Sequence, residues 1–378
     1  MTTLRVIIDE MLSPTAGGAG RYTEELTREL IASAPRGCYV EGFVSASPES
    51  EYEIIERRLP GLDALHKSSL ARRELRSAWQ HGFTRIPGNG MVHATSLLAP
   101  LARHDRINDG EQIAVTFHDA LAWTHPDSLT PRTVSWHKAM AKRAERYADA
   151  VVAPSHAVAD QLADLLDLGD RIRVISGAAS TRLRTGDDAD ERGSRLGLPH
   201  RYVLAIGGFE TRRGIDQLVR AIKHIDDDVQ LLLIGPHGDD PEMASVVREA
   251  GLRADRIRGF GPVSDEDLAV MLSRASVFAY PNLEEGFGMP VLEAFAFGTP
   301  VVHSDAPALL ELSADAGLAV ERGDSEDTGY PERLGAAISG VLADSQLADR
   351  LRYSGQDRAR VYSWRNSAEK VWQLHADL

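Results

Sequence analysis

The segment between residues 277 and 302 constrains the fold more than any other. An apolar run with strand character, Val277–Tyr280, leads into a glycine-rich turn, and helical character resumes at Pro290. Proline suits the first helical turn because its missing N–H would be unpaired there and its φ is already near helical. Gly298 ends the helix about two turns later, before an apolar pair that starts another strand. The order predicts a strand–helix–strand unit with its turn at the carboxyl edge of a parallel sheet.

Strands and helices alternate along the whole chain, which favours parallel sheets with helices on both faces. A chain of 378 residues exceeds the size at which one core keeps growing, so two domains are expected. The run 177–197 lacks apolar periodicity and is predicted to connect them. The predicted strands of the first half are 5–9, 39–44, 91–93, 113–117, 150–153 and 171–175, its helices are 21–34, 132–147 and 157–165, and the second series begins with strands 202–206 and 231–234.

Composition limits the class of protein. The formal net charge of −14 argues against a nucleic-acid partner, because neutralising phosphates requires a basic surface. A single cysteine, Cys38, excludes internal disulfides and a cysteine-based metal cage. The chain opens without an arginine-flanked apolar leader, and no apolar run is long enough to span a bilayer. We therefore expect a cytoplasmic protein.

One basic segment, residues 66–76, stands out against the acidic background and is predicted to lie on a helix. A solvated helix face is the common explanation. Contact with an anionic acceptor or with membrane head groups is the alternative.

Two carboxylates frame the glycine-rich turn: Glu285 lies before it, and Glu293, separated from Glu285 by seven residues, lies in what is predicted to be the first helical turn. Backbone N–H groups and the positive helix terminus favour phosphate at such a place, and carboxylates accept hydrogen bonds from sugar hydroxyls. A sugar nucleotide satisfies both, with the backbone of Gly286, Phe287, Gly288 and Met289 approaching the diphosphate. The simpler alternative is a helix N-terminus with favourable acidic residues.

The spacing of Glu285 and Glu293, with Gly-Phe-Gly-Met-Pro between them and Gly-Thr-Pro-Val-Val beyond, resembles the Glu-x7-Glu signature of retaining GT-B glycosyltransferases of family four (glycosyl transferases group 1). The resemblance implies an α/β fold of two doubly wound Rossmann-like domains facing across a deep cleft. Residues 1–178 would be the acceptor-side domain, 179–363 the donor-binding domain, and helix 364–378 would pack back on the first. By the same resemblance, Glu285 contacts hydroxyls of the transferred sugar and Glu293 the nucleotide ribose.

The second domain opens with a strand, the glycines Gly207 and Gly208, and then Arg212 and Arg213. A guanidinium at this turn can bind a diphosphate through a bidentate fork and stabilise it as it leaves. The family usually carries a lysine where Arg213 stands and often an arginine where Gly208 stands. Whether Arg212 or another cation supplies the second contact stays open, and a surface arginine is the alternative.

In the first domain, the loop from Thr15 to Tyr22, with Gly17 and Gly18, is similar to the family's Gly-Gly-x-x-Arg-Tyr loop, which approaches donor phosphate or acceptor. An ordinary flexible turn is the alternative. His118 and Asp119 follow a predicted strand and resemble the family's His-Asp motif. The resemblance implies that His118 touches the transferred sugar or reacting centre with Asp119 nearby, unless His118 is a structural histidine.

Two further loops resemble family segments that line the nucleoside pocket: Gly235 with Pro236, and Gly261 with Val263. No metal-ligand constellation stands out, and the GT-B resemblance implies no obligatory divalent cation and no cofactor, since the nucleoside-diphosphate sugar is a co-substrate.

The expected function is therefore transfer of a hexose, with retention of configuration, to a glycan or lipid-linked acceptor in polysaccharide or glycoconjugate biosynthesis. The loop and His-Asp motifs resemble bacterial mannosyltransferases, which favours GDP-mannose as donor, with UDP-sugars as the second choice. A lipid-linked acceptor would bring the protein to the inner membrane face. The alternatives are a GT-B-like nucleotide-sugar epimerase and a non-catalytic sugar-nucleotide-binding protein.

Overall fold

The computed structural model describes residues 2–13, 17–86, 88, 90–323 and 327–378. The chain divides into two compact units. The first comprises Met1–Gly177 together with Ser363–Leu378, and the second comprises Ala178–Tyr362.

The first unit contains a seven-stranded parallel sheet in the order β3-β2-β1-β4-β5-β6-β7. The order reverses between β1 and β4, so the carboxyl ends of these two strands form a topological switch point, where ligands bind in open α/β sheets. The elements are β1 (Thr2–Ile7), α1 (Gly18–Ala32), β2 (Cys38–Ala46), α2 (Glu49–Arg58), β3 (Ala64–Ala71), α3 (Arg72–His81), β4 (Met91–Ala94), β5 (Gln112–Thr116), α4 (Leu121–Thr124), α5 (Pro131–Tyr147), β6 (Ala150–Ala153), α6 (His156–Leu165) and β7 (Ile172–Val174).

The second unit contains a six-stranded parallel sheet in the order β10-β9-β8-β11-β12-β13. The order reverses between β8 and β11. The elements are α7 (Ala189–Arg195), β8 (Tyr202–Ile206), α8 (Ile215–Ala221), β9 (Gln230–Ile234), α9 (Pro241–Glu249), β10 (Ile257–Gly259), α10 (Asp265–Arg274), β11 (Val277–Tyr280), α11 (Met289–Ala296), β12 (Val301–Ser304), α12 (Pro307–Ser313), β13 (Leu318–Val320), α13 (Tyr330–Ala343) and α14 (Ser345–Val361).

Apolar cores cover both faces of the second sheet. Val203 and Ala205 of β8 pack into one core, and Tyr202 and Leu204 into the other. Both faces of such a strand must be apolar, which explains the uninterrupted apolar runs in the sequence. The predicted α/β fold with doubly wound sheets is confirmed in each unit.

The basic segment 66–76 is not one helix. Residues up to Ala71 form the edge strand β3, and only from Arg72 onwards is the segment helical. His66, Ser68 and Leu70 are half-buried, whereas Lys67, Ser69 and Ala71 are exposed. This alternation has the period of a strand, and pairing with β2 overrides the helical preference suggested by the charged residues.

The run 177–197 is not simply a connection, because α7 forms within it. This helix packs on α10 largely through charge. Arg192 contacts Asp267 at 2.9 Å, and Arg195 contacts the same carboxylate at 2.7 Å. A helix held by ion pairs needs little apolar periodicity, which is why the sequence pattern did not predict it.

The chain ends in α15 (Trp364–Asp377), which belongs to the first unit. The Ser363 side chain accepts a hydrogen bond from the Asn366 N–H and so caps the helix. Trp372 donates from Nε1 to the Leu30 carbonyl at 3.2 Å, and the Ser367 hydroxyl donates to the Ser176 carbonyl at 2.6 Å. These bonds anchor α15 on the first unit, which also contains the amino-terminal half of the chain.

A buried pair of histidines lies where this helix packs against β4. His93 on β4 is fully buried, and within the described residues neither of its ring nitrogens has a hydrogen-bond partner. The His375 ring lies 5.7 Å from it, centroid to centroid, and its Nδ1 is 3.1 Å from Gln112 Oε1. Burial lowers the pKa of His93 to about 4, and burial together with His93 lowers the pKa of His375 well below its usual value. Both rings are therefore neutral at pH 7.

The pair predicts acid sensitivity. A histidine in the unfolded chain takes up a proton near pH 6.5, whereas the folded His93 resists protonation until about pH 4. Proton uptake by the unfolded chain alone therefore lowers the free energy of unfolding as the pH falls from 6.5 to about 4, and this loss is absent above pH 6.5. We expect the free energy of unfolding to fall over this window by about 3 kcal/mol more in the wild type than in His93→Leu. Urea unfolding at a series of pH values measures it. The exposed His200→Gln should follow the wild type, and identical pH profiles for wild type and His93→Leu would disprove the account.

Candidate functional site

The loops that follow β8 and β11 are joined at the switch point of the second sheet. The Leu283 N–H donates to the Arg212 carbonyl at 2.7 Å. Gly214 has a φ of 61°, and a Cβ atom there would lie 2.4 Å from the Pro281 carbonyl oxygen. Only glycine combines this backbone conformation with so close an approach. The contact fixes where the two loops stand relative to each other.

The loops after β9 and β10 meet the loop after β8 through their glycines. The Gly235 N–H donates to the Gly261 carbonyl at 3.2 Å, and the Gly261 N–H donates to the Pro236 carbonyl at 2.8 Å. A Cβ atom on Gly235 would lie 3.0 Å from the Gly207 carbonyl oxygen. Val263 is half-buried against the core beside this junction. The structure thus brings these predicted nucleoside-side residues to one edge of the sheet.

Glu285 is held by three donors. The Tyr280 hydroxyl and the Asn282 Nδ2 donate to Oε2 at 2.7 and 2.8 Å, and the Gly286 N–H donates to Oε1 at 3.2 Å. Burial and the neighbouring carboxylate raise the pKa of Tyr280, so its hydroxyl stays protonated and can donate. The carboxylate is thereby fixed in orientation and retains further lone pairs for a ligand.

Arg213 is the cation of the site. Its Nη1 lies 3.9 Å from Glu285 Oε2, too far for a tight ion pair. Burial lowers the pKa of Arg213, but Tyr280, Glu285 and Glu210 more than compensate and raise it overall. Its Nε is buried, as is that of Arg212, and neither has a hydrogen-bond partner in the described part of the chain. Donors therefore remain available for an anion. Gly208 lies beside Glu210, whose Oε2 would be 2.8 Å from a Cβ atom there.

The amino end of α11 lies in the same loop. Gly288 precedes the helix with a φ of 98°, and a Cβ atom there would lie 2.7 Å from Leu309 Cδ2. Among the described residues no side chain caps this terminus. Pro290 has no N–H, and the Val291 N–H donates to the Gly288 carbonyl at 2.9 Å, so the Met289 N–H and the partial positive charge of the helix terminus are left for an anion. Phe287 is buried and packs edge-on against Tyr362, with ring centroids 5.6 Å apart, and Met289 begins the helix. These contacts hold the turn in place.

The prediction that Glu293 lies in the first helical turn is wrong. The helix begins at Met289, one residue before the proline, so Glu293 is its fifth residue. Its side chain is buried, with only 3% of the residue exposed. Favourable interaction with the helix terminus fades beyond the first turn and does not explain a buried acid here.

In the first unit, His118 follows β5 and is fixed by β4. Its Nε2 lies 2.8 Å from the Thr95 carbonyl, which can only accept, so Nε2 carries the proton and Nδ1 of the neutral ring is an acceptor. Burial lowers the pKa of His118, and Asp119 and Glu10 oppose that effect. The ring of Tyr22 meets it edge-on at 4.8 Å. Asp119 accepts from the Leu121 N–H at 3.0 Å and so also shapes its own turn.

The glycine loop lies only partly within the described residues. Gly17 precedes α1 and Gly18 is its first residue, whereas Thr15 and Ala16 lie outside the described residues. The roles assigned to these residues, like those of the other site residues, stay predictions.

Three residues that support the site were not predicted: Thr95, Tyr280 and Asn282. The Thr95 hydroxyl donates a hydrogen bond to the Ile7 carbonyl at 2.8 Å and accepts one from the Thr23 hydroxyl at 2.8 Å. These bonds connect the end of β4 to β1 and α1. Each of the three lies at or just beyond the end of a predicted strand. Polar residues at such ends were the available signal.

The residues that the structure describes contain no group of three or more His, Cys, Asp or Glu side chains able to bind a metal ion. Within the same residues, no helix has the length and apolar character required to cross a membrane.

Comparison with solved structures shows the fold. Sucrose-phosphate synthase from Thermosynechococcus elongatus superposes with a TM-score of 0.73 at 23% identity, covering 100% of this chain and 99% of that one. Anabaena HepE in complex with UDP-glucose gives 0.74 at 17% identity, with 100% of both chains covered. The fold is GT-B.

Comparison of sequences shows the family. Residues 16–182 match "Glycosyltransferase Family 4" and residues 187–358 match "Glycosyl transferases group 1". This chain belongs to the family of glycosyltransferases that these two matches describe. O-antigen chain mannosyltransferase B of Escherichia coli is 28% identical over 270 residues, 68% of each protein. MMP alpha-(1->4)-mannosyltransferase of Mycolicibacterium hassiacum is 26% identical over 399 residues, 94% of this chain and 93% of the relative.

The contact at Gly214 can be tested by substitution. Gly214→Ala places a methyl group 2.4 Å from a carbonyl oxygen, so we expect it to destabilise the chain by about 1–3 kcal/mol beyond the backbone cost of the left-handed conformation. Gly251→Ala is the matched control, since its φ of 70° is similar but no atom lies within 4 Å of the added carbon. Urea unfolding compares the two, and equal losses of stability would contradict the steric argument.

Proposed function

We propose that this glycosyltransferase moves a hexose, with mannose favoured, from a nucleoside-diphosphate sugar to a hydroxyl of a glycan or lipid-linked acceptor, and that it retains the anomeric configuration. The observation that carries the proposal is the convergence of Arg213, Glu285 and the amino end of α11 within the second unit. A cation and the positive amino end of a helix suit a diphosphate, and an oriented carboxylate suits the hydroxyls of a sugar.

The donor is proposed from the relatives. HepE was crystallised with UDP-glucose, which supports a nucleotide sugar as donor. The Escherichia coli and Mycolicibacterium hassiacum relatives are mannosyltransferases, which favours mannose and thus GDP-mannose. A UDP-sugar is the second candidate. If the acceptor is lipid-linked, the protein works at the inner membrane face as a peripheral protein of the cytoplasm.

The chemistry follows from the charges. As the bond between the sugar C1 and the diphosphate oxygen breaks, negative charge grows on the diphosphate, where the Arg213 guanidinium and the positive amino end of α11 stabilise it. The acceptor oxygen bonds to C1 on the face that the diphosphate leaves, and its proton passes to a departing phosphate oxygen. The proposal therefore requires neither a protein base nor a divalent cation, because fixed donors neutralise the leaving group.

Glu285 acts on the sugar rather than on the diphosphate. Tyr280 and Asn282 hold its Oε2, so the carboxylate need not reorganise when the sugar arrives. Positioning of this kind accounts for a large part of enzymatic rate enhancement. Glu293, buried in the second turn of α11, would take the ribose hydroxyls.

The test begins with the donor. Thermal shift with GDP, UDP and ADP identifies the base, because a ligand bound only by the folded chain raises its melting temperature. Transfer is then assayed with and without EDTA, and the anomeric coupling constant of the product reports retention or inversion. Inversion, or loss of activity in EDTA that Mg²⁺ restores, would overturn that part of the proposal. Epimerisation of the donor without acceptor would identify an epimerase instead.

The two carboxylates should separate binding from transfer. We expect Glu285→Gln to reduce kcat about 100-fold with little change in donor affinity, since one oriented polar contact in a transition state contributes about 3 kcal/mol. Glu293→Gln should instead weaken donor binding about tenfold, the loss of roughly one hydrogen bond to a charged group. Calorimetry with donor and initial-rate kinetics measure these effects. Glu284→Gln is the neighbouring control, and unchanged activity in both test variants would refute the assignment.

A further inference from the structure

A guanidinium in the first unit lacks a counter-charge. Arg76 on α3 is half-buried, and its guanidinium lies 4.0 Å from the centroid of the Trp136 ring on α5. Its side chain has no hydrogen bond or ion pair with any described residue. The Trp136 Nε1 is 3.4 Å from the Arg76 carbonyl, so the ring and the cation are tied to each other. Stacking holds the cation in place without neutralising it.

The nearest acids are already engaged. Arg72, one turn earlier on α3, bridges Asp9 and Glu10, with 2.7 Å between its Nη2 and Glu10 Oε2. The other oxygen of Glu10 accepts the Ser96 hydroxyl at 3.0 Å. Burial and the neighbouring cations Arg72 and Arg132 lower the pKa of Arg76, and only Glu10 acts against them. The field at Arg76 is therefore net positive.

Two further donors stand beside it. Arg132 is exposed in the first turn of α5, and His137 follows Trp136 on the same helix. Neither side chain has a hydrogen bond or ion pair within the part of the chain that the structure describes. Burial lowers the pKa of His137, Arg76 lowers it further, and Asp119 and Glu10 raise it. The bonds from Arg72 to Asp9 and Glu10 place α3 beside the loop that follows β1, and α5 packs on α3 and on α4, which comes after β5.

The composition of the two helices agrees with this field. Helix α3 carries three Arg and α5 carries five Lys or Arg, against only Glu74 and Glu145. The whole chain has a formal net charge of −14, so this concentration of cations is not a general property of its surface. An anionic ligand would be attracted to this edge.

We propose that Arg76, Arg132 and His137 form an anion subsite that binds a phosphate group of the acceptor. A guanidinium group can donate two parallel hydrogen bonds to phosphate oxygens, and an imidazole can donate one. Helix α5 packs on α4, which begins two residues after Asp119, so the subsite lies near the loop that carries His118 and Asp119. The assignment of this phosphate to the acceptor rests on the proposed function. The phosphate belongs either to a soluble sugar or polyol phosphate or to a phospholipid head group.

Tryptophan fluorescence can read this subsite on the full chain. All five tryptophans, Trp79, Trp123, Trp136, Trp364 and Trp372, lie in the first unit, so the signal originates there. We expect inorganic phosphate to change the fluorescence saturably and Arg76→Met to weaken that binding at least tenfold. Arg73→Met, exposed on the same helix, is the control and should bind like the wild type.

The source of the phosphate is resolved by three probes: glucose, glucose 1-phosphate, and vesicles of phosphatidylglycerol compared with phosphatidylcholine. Binding of glucose 1-phosphate but not glucose supports a soluble acceptor, and binding only to phosphatidylglycerol vesicles supports a lipid head group. In both cases Arg76→Met must abolish the preference while Arg73→Met keeps it. Equal phosphate affinity in wild type and Arg76→Met, or no saturable binding in the wild type, overturns the subsite.

Failure of the subsite and failure of the proposed function give different results. Thermal shift with GDP and UDP should be the same in wild type and Arg76→Met, because the donor residues lie in the second unit. Phosphate binding through Arg76 in a chain that transfers no sugar would refute the proposed function and leave the subsite intact. Equal transfer to phosphorylated acceptors by wild type and Arg76→Met would refute the subsite alone.

Discussion

The close approach of Gly214 to the Pro281 carbonyl is the constraint on which the candidate donor site depends. No other residue can hold both that φ and that distance, and the contact ties the loop that carries Arg213 to the loop that carries Glu285. Because the strands are parallel, the loops after β8 and β11 leave the sheet at the same edge. The strand order reverses between these two strands, which leaves space there for the two loops to contact each other. A backbone contact thus sets the distance between the two charges.

The charges of Arg213 and Glu285 lie close together without forming a tight ion pair. Arg213 and Glu285 stand 3.9 Å apart, so neither consumes the hydrogen-bonding capacity of the other. The carboxylate is stabilised instead by Tyr280 and Asn282, neutral donors that leave the guanidinium available. Burying polar groups is costly unless they are hydrogen-bonded, and a diphosphate beside Arg213 would complete the set.

The two units share a topology and differ in the polar groups that accompany it. The strand order reverses between β1 and β4 in one sheet and between β8 and β11 in the other. The first unit carries His118, whose Nε2 is held by the Thr95 carbonyl just after β4, and Arg76, which has no ion pair among the described residues. The second places a fixed carboxylate, a cation and an uncapped helix. An acceptor with a phosphate and a donor with a diphosphate suit these two sets of groups.

The sequence by itself determined the α/β fold, the two-part organisation of strands and the loops that bear Arg213, Glu285 and His118, because periodicity, glycines and prolines act over a few residues. It failed where distant residues decide: Ala64–Ala71 is a strand because β2 lies beside it, and α7 forms because Asp267 attracts its arginines. Only the tertiary structure decided that Tyr280 and Asn282 orient Glu285, and that Arg76 rests on Trp136 with no ion pair among the described residues. Such partners are set by packing between elements, which no local pattern encodes.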